Sequence, residues 1–175
     1  MSQIEVIAGE LRGLIAGVER ARGLAVGFDN QVQEVAMRAA AAGFAAVAVG
    51  VTRVRSAVST VQGSLGGLAG TIGEATTATA AVPHEGSSQE IIGGLLPIQS
   101  AVDRVRDAAV WAIAQVGEVQ QFVVMVLQGG QPGPLLQGLD SIKEVLVLIV
   151  QRTVTARQLV DAAITEARQL GASGN

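Results

Sequence analysis

An all-α helical bundle made of two hairpin-like halves is the fold this 175-residue chain predicts. Three observations point to it. Apolar residues recur at alternating spacings of three and four along most of the chain, which is the seam of a packed, coiled-coil-like helix. Hydrophobic residues make up 49% of the chain and aromatic ones only 2%. The core must therefore come from Ala, Val, Leu and Ile, held by long, close helix contacts rather than by bulky rings. Thirdly, nearly the same helix is written twice. Gly17 to Val35, "GVERARGLAVGFDNQVQEV", returns at Ala101 to Val119 as "AVDRVRDAAVWAIAQVGEV", with Arg-x-Arg, Gln and Glu in matching places. The offset of 84 residues is twelve heptads, so both copies keep one seam.

The first helix opens on a capping box, Ser2-x-x-Glu5, in which a hydroxyl and a carboxylate satisfy free backbone N–H groups at the helix start. Its seam runs Ile4, Ile7, Leu11, Leu14, Val18, Ala21, Ala25, Phe28, Val32, Val35, Ala39, Ala42, Ala46, Val49. The register then shifts to Val51, Val54, Val58, Val61, Leu65, Leu68, Ile72, which predicts a bend or turn between Gly43 and Gly50. From Gly73 to Ser88 the period fades and Thr, Pro, Gly and Ser gather, the composition of a linker. His84 falls here, beside Glu85, as an exposed linker residue.

A second capping box, Ser87-x-x-Glu90, opens the second half. Pro97 lacks the N–H that would reach the Gly93 carbonyl and should kink or restart this helix. Its seam is Ile98, Val102, Val105, Ala109, Ala112, Val116, Val119, Val123, Val126. "QGGQPGP", Gln128 to Pro134, is a tight connection that makes the third and fourth helices antiparallel neighbours, with Pro134 suited to a first helical turn. The fourth seam is Leu135, Leu139, Ile142, Leu146, Ile149, Thr153, Ala156, Val160, Ala163, Ala167, Leu170, where only Thr153 is not apolar. "VLVLIV", Val145 to Val150, is apolar on every side and is expected to be the most buried stretch, touching at least two helices. The resulting division is 1–72 and 89–171 as helical halves, 73–88 as linker and 172–175 as a frayed tail, with one joint bundle as the alternative. Internal duplication is the expected origin of the repeat.

Function is approached mainly by exclusion. A net charge of −3, no basic block and almost no aromatic side chains argue against nucleic-acid binding. No cysteine is present, which removes disulfides and thiolate zinc sites. A single histidine cannot build a metal centre or a triad. "GSLGGLAG", Gly63 to Gly70, lacks the lysine of a phosphate-binding loop. The expectation is a non-enzyme without cofactor, metal or small-molecule substrate. The N-terminus lacks a basic n-region with an unbroken apolar stretch, and the longest apolar run, Ala39 to Val51, is short of the roughly 20 residues that span a bilayer. Cytoplasmic location, or export without a cleavable signal, is expected.

Two features look like contact surfaces. Gly9, Gly13 and Gly17 recur every four residues inside the first helix, although each glycine costs about 1 kcal/mol against alanine there. Small residues at that spacing let another backbone approach. Trp111, with Val110 and Ile113, stands off the third seam, and large aromatics are favoured interface anchors. A neighbouring helix of the same chain covering Trp111 is the competing reading. Glu19 with Arg22 and Asp103 with Arg106 have the spacing of surface ion pairs.

The paired, Ala-rich amphipathic helices resemble the WxG-type helical hairpins of actinobacterial type VII secretion. The Arg-rich, Lys-poor composition, eleven against one, resembles actinobacterial coding as well. That family carries Trp-x-Gly at the interhelical turn. Here Trp111 is followed by Ala-Ile inside a helix, and no tyrosine is present for its export signal, so no functional residue carries over. The expectation is an interaction protein acting by self-association, at least as a dimer, or by pairing with a helical partner, with a link to type VII secretion implied by the resemblance. The alternative is a lipid-surface protein, against which stands the scarcity of basic residues on its polar faces.

Overall fold

The computed structural model describes residues 2–83 and 85–173. Four long helices follow one another: α1 (Gln3–Ala41), α2 (Ala45–Ala80), α3 (Ser88–Val126) and α4 (Gly133–Ser173). The chain is all-α, as the seams predict. His84, expected as an exposed linker residue, lies outside the described residues.

Each helix packs on two neighbours, in the ring α1–α2–α3–α4–α1, while the diagonal backbones stay apart. Bridging side chains give the directions. Gln99 and Asp103 on α3 reach Asp161 and Arg157 on α4, and Gln120 reaches Asp140. Numbers rise on one helix as they fall on the other, so the pair is antiparallel. The same holds for Ser64–Gln115 and Glu74–Arg104 between α2 and α3, and for Gln3–Glu166 and Glu10–Arg152 between α1 and α4. Asp29 holds Arg55 through two parallel bonds of 3.1 and 3.2 Å, joining α1 to α2. The result is an up-down-up-down bundle with one continuous core. The interfaces α1–α4 and α2–α3 join the two sequence halves into that core.

Seam positions from Ile7 to Val32, Val51 to Ile72, Ile98 to Val123 and Leu135 to Ala167 are buried. Thr153 sits among them because its hydroxyl donates to the Val150 carbonyl at 2.6 Å, which satisfies the group without solvent. The repeated stretches lie on the diagonal helices α1 and α3. Val18 and Val102 are both buried, and Arg20 and Arg104 are both exposed. This equivalence is one of place and burial.

Several expectations are corrected. The first helix ends at Ala41, earlier than the seam implied, so Ala42, Ala46 and Val49 are exposed. Gly43, at φ +80°, occupies the left-handed position after the cap. The Phe44 N–H donates to the Ala39 carbonyl and the Gly43 N–H to that of Ala40, a Schellman termination. The stretch 73–88 is helical as far as Ala80, leaving a connection of residues 81–87. Thr71, Thr76, Thr77 and Thr79 donate to the carbonyls four residues back, which lets polar β-branched residues remain in a helix. α3 runs through Pro97 without restarting. The tail is helical up to Ser173. Val145 to Val150 is not buried all round: Val147 and Leu148 are exposed, since each helix in a four-membered ring has only two neighbours.

Both capping boxes form. The Ser87 backbone N–H and hydroxyl both donate to Glu90 and hold its carboxyl below the ordinary glutamate range. A depressed carboxyl stabilises the fold above its unfolded pKa, and that contribution is lost as pH falls through the folded value. Ser87→Ala should cost about 1 kcal/mol, and Glu90→Gln should flatten the acid limb of melting temperature against pH. An identical acid limb in Glu90→Gln would count against this box.

Candidate functional site

Two apolar surfaces remain after the seams are buried. The first lies on the outer face of α3 and α4. Because Asp103 lies opposite Arg157 and Gln120 opposite Asp140, Val110 stands level with Val150, and Ile113 with Val147. Val154 follows one turn along. Val110 is 51% exposed and Trp111 52%, with Val147 and Val154 also open to solvent. Ile113 and Val150 are half-buried and pack against the core. Trp111 stands at the edge facing α2, since Gln115, one turn on, accepts from the Ser64 hydroxyl. Leu148 marks the opposite edge, lining a groove with Gly13, Ala16 and Gly17 of α1. Trp111 is therefore not covered by a neighbouring helix, and Val110 is exposed beside it.

Carboxylates outnumber cations around this face. Asp103, Asp107, Glu118, Asp140, Glu144 and Asp161 stand against Arg104, Arg106, Lys143, Arg152 and Arg157, six against five. Asp103 and Asp161 are tied to Arg157, and Asp107 to Arg106 at 3.0 Å. Ion pairs thus stand on the border of an apolar centre, with Glu118, Lys143 and Glu144 beside them.

The glycine stripe has a different explanation from the second contact face expected of it. A Cβ at Gly13 would strike the Arg152 guanidinium, and one at Gly17 would come 3.1 Å from Ile149. Gly17 serves the approach of α4 to α1 inside the chain, whereas at Gly13 only the end of the flexible Arg152 side chain would have to move. Only Gly9 has open space where a side chain would stand.

The second surface is the end of the bundle that carries the α1–α2 and α3–α4 turns. Phe44 and Val49 are each 63% exposed, and Phe122 and Met125 project from the last turns of α3. Gly50 brings α2 close to α3 there, for a Cβ on it would lie 2.7 Å from the methyls of Val126. Val49 therefore stands beside the turn of α3 that bears Phe122 and Met125. Sequence reasoning missed this group. Its signal was the run Ala39 to Val51, weighed only as a membrane span. α3 itself is long and apolar enough to cross a membrane by length and composition, yet its seam lies in the core. Among the described residues no three His, Asp or Glu side chains converge on a point that could hold a metal ion.

No curated protein matches the chain. Residues 86–172, which comprise α3, the α3–α4 turn and nearly all of α4, match a family of unknown function, DUF6244.

Proposed function

We propose that this chain is a non-catalytic association protein whose working surface is the outer face of α3 and α4, taken up by a second copy or by a helix of a partner. The observation that carries the reading is the exposure of Val110, Trp111, Val147 and Val154 within two turns of one another, although every seam position except Ala42, Ala46, Val49 and Leu170 is buried or packed against the core. Apolar side chains gathered on one face gain when covered, at about 25 cal/mol per Å², and an exposed tryptophan is the residue type most enriched among dominant interface contacts.

The face is large enough. Helices of 39 and 41 residues rise about 1.5 Å per residue and pack roughly 10 Å apart. They present on the order of 1,000 Å², more than the ~800 Å² per partner of a stable complex. Its nearly balanced charged border suits a partner that meets it with its own paired charges. The link to type VII secretion is supported by the shared architecture of antiparallel Ala-rich hairpins and by no residue motif.

Light scattering at tens of micromolar should give a dimer for the unaltered chain. Val147→Asp and Trp111→Ser should each shift the mass to that of a monomer while helicity and melting stay within ordinary surface-mutation limits. A unaltered chain that remains monomeric, together with no helical partner retained on that face, would sink the reading.

A further inference from the structure

We propose that the turn end of the bundle docks onto a lipid bilayer containing anionic phospholipids, with Phe44, Val49, Phe122 and Met125 entering the headgroup boundary and Arg38 and Arg53 meeting lipid phosphates. The α1–α2 and α3–α4 turns both lie at this end, and these four apolar side chains are exposed there. The charge pattern is one-sided. No carboxylate occurs between Glu34 and Glu74 on α1 and α2, and no charge of either sign between Glu118 and Asp140 on α3 and α4. Arg53 makes no ion pair among the described residues. Arg38 holds Glu34 at 3.3 Å with 80% of its side chain in solvent. A chain of net charge −3 thus carries an end whose unpaired charge among the described residues is Arg53, two turns into α2, since Arg38 is held by the neighbouring Glu34.

Area decides between lipid and a second copy. Four helices at roughly 10 Å spacing give an end of about 400 Å², half of the ~800 Å² per partner that a stable dimer buries. The four side chains are also spread around that end, with Phe44 in the α1–α2 turn and Val49, Phe122 and Met125 on the helices beside it. A fluid bilayer accepts such a spread, and a rigid protein partner would need a matching socket. The lateral face of α3 and α4 is turned away from the bilayer in an end-on approach. Met125 stands two heptads beyond Trp111 and shares a groove with Lys143 of α4, so Phe44 and Val49 are the residues that separate this end from the dimer face.

The test is flotation of the full chain with phosphatidylcholine vesicles, with and without phosphatidylglycerol. Binding is expected to the phosphatidylglycerol vesicles and should weaken as salt rises. Phe44→Ser and Met125→Ser should each weaken it about tenfold and Arg53→Gln about fivefold, with circular dichroism and melting unchanged. Trp111→Ser should leave flotation intact even where it abolishes dimerisation, so failure of one surface is separable from failure of the other. As a readout independent of the serine variants, Phe44→Trp in a Trp111→Phe background should shift its emission to the blue when vesicles are added. Absence of binding, equal binding to both vesicle types, binding that survives the paired serine substitutions, or an unshifted Phe44→Trp emission would each overturn the proposal.

Discussion

Leu146→Asp is expected to prevent the chain from reaching a stable bundle, with the protein recovered as aggregate or with its helical signal and cooperative melt lost. Leu146 has no solvent exposure and sits in the single core that all four helices share. A carboxylate there must either ionise without a partner or be protonated at a large pKa shift, and either route costs several kcal/mol. The lost leucine contacts add to this penalty. A domain of this size has on the order of 5–15 kcal/mol in total. Leu148→Asp, two residues away, is the matched control. Leu148 is 54% exposed, so its variant should fold and melt near the unaltered chain. Far-UV circular dichroism and thermal melting distinguish the two. A soluble Leu146→Asp with normal melting would remove this part of α4 from the core.

The contrast between those leucines marks how far the sequence could be read. A seam at alternating threes and fours names one face of a helix, and on that face the reading from Ile7 to Val32 and from Ile98 to Val123 matches the buried positions. It says nothing of how many neighbours the helix has. "VLVLIV" reads as buried on all sides only if three neighbours surround α4, and the ring supplies two. The α1–α2 turn was legible only as a register shift. "AAAAGFAAV" carries no Asn, Ser or Pro to mark a break, and Gly43 serves through its left-handed backbone alone. Residues 73–80 looked like linker by composition, although Ile72, Ala75, Thr79 and Val82 continue the three-and-four spacing and are buried. Composition misled there because Thr hydroxyls find helical carbonyls. At the candidate surfaces, Val110 and Trp111 could be picked from α3 alone. Val147 and Val154 could not, since their place beside Val110 depends on how α4 is set against α3. Gly17 lies where α4 of the same chain comes close, while Gly13 meets only the tip of Arg152.

Cleavage of the α2–α3 connection should leave the two fragments associated. Glu85, Gly86 and Ser87 are exposed between two long helices, and limited proteolysis acts first at such sites. The cut severs connectivity but leaves both interfaces that cross it, α1 on α4 and α2 on α3, which are comparable to those within each hairpin. One hairpin covers the other over helices of 36 to 41 residues, on the order of 1,000 Å² of largely apolar surface on each side, beyond what a stable complex needs. The nicked protein should therefore elute as one species with unchanged helicity and separate only in denaturant. Fragments that part in native buffer, each still helical, would mean that the halves are separate units, contrary to the shared core. The same reasoning bears on the matched segment 86–172. Taken alone it supplies α3 and α4 with Ile98, Val105, Leu146 and Ile149 open on one side, where α1 and α2 now cover them. Such a piece can close its core only against a second hairpin. Expressed alone it should be found as a dimer of hairpins or as aggregate, and adding residues 1–85 should convert it to the mixed pair.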